Sequence, residues 1–116
     1  MLDAPVMYIV RFWVDPKGSK EVFNWLDGGH NHEVVAEPGY RFLERLKLEQ
    51  KSEDGWDCYL NIYGLESRGA LDAYFANKRL HEKFSRERAP LEKYLRIDRA
   101  WGSVDLSLKH GDKFKR

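Results

Sequence analysis

The stretch Val6-Met7-Tyr8-Ile9-Val10-Arg11-Phe12-Trp13-Val14 decides how the chain is read. Alternate positions along a strand project to opposite sides. Val6, Tyr8, Val10, Phe12 and Val14 share one side, and Met7, Ile9 and Trp13 the other. Both sides are apolar, with Arg11 the exception. A strand of this kind lies centrally in a sheet and is covered on both faces. Asp15-Pro16-Lys17-Gly18 then breaks it.

Beyond that break the spacing becomes helical. Ser19 is a natural N-cap, and Val22, Leu26, His30 and Val34 recur on one stripe. Gly28-Gly29 predicts a kink or stop, followed by a second helical turn from His32 to Ala36 and an end at Pro38-Gly39. A second strand spans Tyr40 to Gln50, with its inward face left open by alternation. Asp54-Gly55 marks a hairpin, and a third strand runs from Trp56 to Tyr63. Trp56, Cys58, Leu60 and Ile62 share one of its faces, and Tyr59, Asn61 and Tyr63 the other. Ser67 caps a helix striped by Leu71, Tyr74 and Phe75. A further helical run from Leu80 to Arg88 ends before Pro90. The last strand is expected from Tyr94 to Leu108. Its apolar phase slips at Gly102, which predicts a β-bulge.

The order βαββαβ is the ferredoxin-like pattern, an α+β fold with a four-stranded antiparallel sheet whose first and third strands are central. Helices cover one face of such a sheet. Arg11, Trp13, Tyr59, Asn61 and Tyr63 are expected on the other. An exposed aromatic face is a liability, so the expected partner is a second copy, sheet against sheet, closing a barrel as a homodimer.

At 116 residues the chain is long enough for one domain, expected at 1–108, with a basic flexible tail at 109–116. Aromatic residues make up 14%, too many for a disordered chain. Twenty basic residues against nineteen acidic ones, without a basic block, argue against a nucleic-acid partner. No apolar run is long enough for a membrane span, and Met1-Leu2-Asp3-Ala4-Pro5 lacks a leader's pattern. The lone Cys58 excludes an internal disulfide. A soluble cytoplasmic protein is expected.

Two segments carry a resemblance. One is Trp25-Leu26-Asp27-Gly28-Gly29-His30-Asn31-His32-Glu33-Val34-Val35-Ala36-Glu37-Pro38-Gly39; the other runs from Leu65-Glu66-Ser67 through Tyr74-Phe75-Ala76-Asn77 to His81 and Phe84. The sequence resembles the dimeric α+β-barrel superfamily, which includes EthD-like and antibiotic-biosynthesis monooxygenase-like proteins, over about residues 6 to 108. His30 matches the first-helix histidine that precedes a Pro-Gly turn. The resemblance implies a small-molecule enzyme or binder, with oxygenases that need no cofactor, haem-degrading enzymes, isomerases and cyclases among its members. Haem-degrading relatives carry Trp before the second helix and Asn on the first strand. This chain has Leu65 and Arg11 there, which leaves His81 as the one candidate haem ligand.

The candidate chemistry follows. His30 is read as a catalytic proton-transfer group, or else as a structural histidine beneath the sheet. His32 falls on another helical face. Two histidines two apart on a helix point away from each other, so no metal site is expected from His30 and His32. Arg11 either pairs with an acid across the dimer or holds an anionic substrate group. Trp13, Tyr59, Asn61, Tyr63 and Trp101 are candidates to surround a small aromatic or hydrophobic ligand, or else to fill the dimer core. No organic cofactor is expected. Lys78, Arg79, Glu82, Lys83, Arg86, Glu87 and Arg88 read as a solvated helix face.

Overall fold

The structure is a computed structural model that describes residues 3–115. Met1 and Leu2, the start of the stretch read for a leader, and Arg116, the end of the basic tail, lie outside the described residues.

The doubly apolar stretch forms strand β1 (Val6–Val14). Asp15 accepts the backbone N–H of Lys17 at 3.0 Å and opens a short 3-10 turn, Pro16–Gly18. Helix α1 (Ser19–Trp25) follows, then a π-helical turn (Leu26–His30) and helix α2 (Asn31–Val35). The helix therefore kinks at the glycine pair, as the sequence predicts, and resumes beyond it. Gly29 makes this feasible with a φ of 150°, a value that residues bearing a Cβ rarely adopt. At the next turn Gly39 has a φ of 86°, and a Cβ there would stand 2.4 Å from that of Ala70.

Strands β2 (Tyr40–Lys51) and β3 (Asp57–Leu65) form the hairpin. Helices α3 (Arg68–Ala76) and α4 (Lys78–Arg88) follow, then a 3-10 segment (Ala89–Tyr94) and strand β4 (Leu95–Ser103). The Ser67 hydroxyl accepts from Ala70 N–H at 3.1 Å and caps α3 as expected. Asn77 does the same for α4, accepting from Leu80 N–H at 3.2 Å.

The strands form one sheet in the order β2-β3-β1-β4, with β1 and β3 central, as a ferredoxin-like fold requires. All pairs are antiparallel. The expected bulge at Gly102 is absent: β4 pairs with β1 without a break from Leu95–Val14 to Ser103–Val6. Val104, Leu106 and Leu108 lie beyond the strand and are exposed, so the change of parity marks the strand's end.

The register also corrects the faces. Tyr8 stands opposite Tyr63, Val10 opposite Asn61 and Phe12 opposite Tyr59. Residues directly opposite share a face. Tyr59, Asn61 and Tyr63 therefore lie on the helix-covered face, whereas Arg11 and Trp13 share the uncovered one with Cys58 and Leu60. Alternation within each strand was read correctly; the phase between strands was not, because nothing in alternation sets it.

The covered face holds the core. Val6, Tyr8, Tyr63 and Leu65 pack against Val34, Leu71, Tyr74 and Phe84 from the helices. Phe12 and Val14 pack against Val22 and Leu26. Among the described residues no helix is long and apolar enough to cross a membrane.

Candidate functional site

A cavity of about 290 Å³ lies between the covered face of the sheet and the helices. Its floor comes from β1, β3 and β4 through Tyr8, Asn61, Tyr63 and Ile97. Its roof comes from Trp25, His30 and Phe84. A shallower depression adjoins it at Phe75, His81 and Ser85, which border both.

His30 ends the π-helical turn. Its ring lies between those of Trp25 and Phe84, with centroids 4.2 and 4.3 Å away. Its Nδ1 is buried and has no hydrogen-bond partner among the described residues. Burial dominates its titration. It pulls the pKa from 6.5 down to about 4, against the opposing pull of Glu87 and Glu33. The imidazole is therefore neutral at pH 7.

A polar chain braces the opposite wall. Arg45 of β2 donates to both carboxylate oxygens of Asp27, at 2.6 and 2.9 Å. This holds the Asp27 carboxyl below its ordinary range. Asp27 accepts from Asn31 Nδ2 at 3.3 Å, and Asn31 Oδ1 accepts from the Tyr63 hydroxyl at 3.4 Å. Asn31 and Asn61 are the buried polar side chains of the core. Asn61 lines the cavity, and its Oδ1 has no partner among the described residues. Burial pushes the Tyr63 phenol up to about 12, so it remains a neutral donor.

Of the residues singled out in the sequence, His30, Asn61, Tyr63 and His81 meet around this cavity. Five do not line it. Arg11 is on the other face of the sheet and is bound to Asp98 of its own chain, at 2.7 Å. Trp13 stands beneath the Arg11 guanidinium, 4.8 Å from ring centroid to Cζ. Tyr59 packs on Phe12 and Phe23, and Trp101 packs on the outer side of Phe75. His32 is exposed. His81 turns its Nε2 to the chain, where it donates to the Tyr74 carbonyl at 2.8 Å.

The sequence reading missed Tyr8, Phe75, Arg88 and Arg99. Two signals were present. Arg99 falls in the same phase as Leu95, Ile97 and Trp101, so it interrupts an apolar strand face. Arg88 lies four residues beyond Phe84 and seven beyond His81, on the inward stripe of α4 rather than its solvated face.

Proteins of known structure share this fold. A monooxygenase from the gene ActVA-Orf6 of Streptomyces coelicolor, solved in complex with Nanaomycin D, is 20% identical, with 91% of this chain and 92% of that one covered and a TM-score of 0.62. SnoaB, a cofactor-independent oxygenase from Streptomyces nogalater, is 17% identical, with coverages of 91% and 98% and a TM-score of 0.56. An EthD family protein from Bacillus halodurans is 11% identical, with coverages of 82% and 96% and a TM-score of 0.56. The ferredoxin-like fold is thus shared with structures described as an antibiotic-biosynthesis monooxygenase and an EthD family protein. No family model and no curated protein matches the sequence.

Proposed function

We propose that the chain is a small-molecule enzyme that moves a proton at His30, without an organic cofactor, on an aromatic compound held in the cavity. One observation carries this reading: a neutral, buried imidazole lines the cavity with its Nδ1 unpaired. An unmet buried acceptor costs about 1–3 kcal/mol. A ligand that donates a hydrogen bond there recovers that energy, and the same contact is the first step of proton removal. The Asn61 Oδ1, a second buried acceptor without a partner among the described residues, is placed to take a hydrogen bond from a further hydroxyl of the ligand. A proton taken from a ring hydroxyl or an adjacent C–H leaves its electron pair on the ligand as a phenolate or enolate. Such an anion reacts with dioxygen in an oxygenase, or takes a proton at another carbon in an isomerase. The shared fold with a monooxygenase and a cofactor-independent oxygenase supports the former.

Sheet-to-sheet homodimerisation belongs to the same proposal. The uncovered face presents Ile9, Trp13, Leu60 and Ile62, and Leu46 beside them is 48% exposed. The unpaired Cys58 suits a reducing cytoplasm. Two other readings fare worse. A purely dimerising module needs no cavity behind the sheet. Haem ligation by His81 would take Nε2 from its carbonyl partner.

Native mass spectrometry on protein purified without added ligand tests both parts. A dimer carrying a discrete small mass is expected; a monomer overturns the sheet-to-sheet pairing. Oxygen uptake with a panel of phenols and hydroquinones then finds a substrate. His30→Gln should lower its turnover about 100-fold or more with assembly intact. Unchanged turnover removes His30 from the mechanism.

A further inference from the structure

The cavity wall carries two arginines, Arg88 and Arg99, and no aspartate or glutamate among the described residues. In a chain with nineteen acidic side chains and a net charge of +1, this is a local excess of positive charge facing an apolar space. The ion pairs elsewhere make the contrast sharper. Arg11, Arg45 and Arg96 are each held at hydrogen-bond distance by an aspartate. Arg99 forms no ion pair among the described residues. Arg88 has only Glu92, 3.8 Å from its Nε and beyond hydrogen-bond reach, although its side chain is just 23% exposed. Arg88 is largely desolvated without a hydrogen-bonded partner, which is costly, and Arg99, exposed but lining the same cavity, adds a second guanidinium; together they suit a planar anion that can take their N–H donors in pairs.

The two arginines converge from different elements. Arg88 ends α4, and Arg99 sits mid-way along β4 opposite Val10. Both bear on the Tyr8 phenol beneath them, where they oppose the upward push of burial on its pKa. The cavity is at the small end for ligand sites, which favours a compact ring system over a long or polyanionic molecule.

We propose that the cavity takes a compact aromatic acid, whose carboxylate is held by Arg99 and Arg88 over Tyr8 while its ring lies among Phe75, Phe84 and Trp25. This rests on the reading of the cavity as a ligand site and names the class of ligand. It also moves the anion-binding role from Arg11, where the sequence suggested it, to the opposite face of the sheet.

The test is calorimetric titration with 2-naphthoate and with 2-naphthamide, nearly the same shape without the charge. The acid should bind at least tenfold more tightly than the amide to the full chain. Arg99→Gln should remove most of that preference, and Arg88→Gln with Arg99→Gln all of it, while amide affinity stays the same. Arg99→Lys should restore part of it. Arg11→Gln should leave it intact. Arg99 is exposed, so its replacement does not endanger the fold. Equal binding of acid and amide overturns the inference and keeps the cavity as a ligand site. So does a preference that survives both arginine replacements or is lost in Arg11→Gln. Binding of neither probe overturns the inference together with the reading of the cavity itself.

Discussion

The two faces of one sheet do different work, although the same strands supply both. The covered face is closed by helices. Leu65 and Leu71 are fully buried there, and His30 Nδ1 and Asn61 Oδ1 have no partner among the described residues. The uncovered face has the reverse character. It carries two close ion pairs within the chain, Arg11–Asp98 and Arg96–Asp54, whereas its apolar groups are left partly open. Arg96 also lies over the Trp56 ring, 3.8 Å from its centroid. Its guanidinium, followed by the Ser52 hydroxyl, holds the Asp54 carboxyl well below the usual carboxylate range. Unpaired polar groups with a closed apolar surround suit a ligand. Paired charges with an open apolar surround suit another protein surface.

Leu71→Ala should separate the faces most strongly. It empties a fully buried site and should cost about 2–5 kcal/mol in urea unfolding. Leu60→Ala on the uncovered face should cost about 1 kcal/mol or less once the chain is monomeric. Equal losses would mean that the uncovered face is as well packed as the core.

Next is the pH response of His30. Above pH 6.5 the imidazole is neutral in both the folded and unfolded chain, so its contribution is complete and constant. Between 6.5 and about 4 the unfolded chain binds a proton that the folded chain refuses, so stability falls with pH. The loss approaches about 3 kcal/mol, at roughly 1.4 kcal/mol per pH unit. Urea midpoints from pH 7.5 to 4.5 should therefore fall more steeply in the parent chain than in His30→Leu. Parallel curves would show that His30 is not held neutral by burial.

Leu60→Glu should act on assembly rather than on the fold. On the proposed pairing, light scattering should give a dimer for the parent and a monomer for Leu60→Glu, with the circular dichroism spectrum unchanged. The smallest effect is expected from Asp98→Asn. Its pair with Arg11 is half exposed and screened by solvent. The urea midpoint of the monomeric Leu60→Glu chain should not move when this change is added.

The sequence alone determined the element order, the central position of β1 and β3, the Ser67 cap and the turn at Pro38-Gly39. Each rests on local periodicity or on the backbone preferences of single residues. It also singled out His30, as an imidazole on an apolar helical stripe. The kink at Gly28-Gly29 was legible as well, as one of the two outcomes, a kink or a stop, that a glycine pair permits. Only the tertiary structure decided which strand faces stand together. Side chains alternate with a period of two in every strand, and one residue of register moves a whole set from the core to the opposite face. That single degree of freedom put Asn61 and Tyr63 on the side of His30, put Arg11 against Asp98, and put Arg99 on the cavity wall, where Arg88 at the end of α4 joins it.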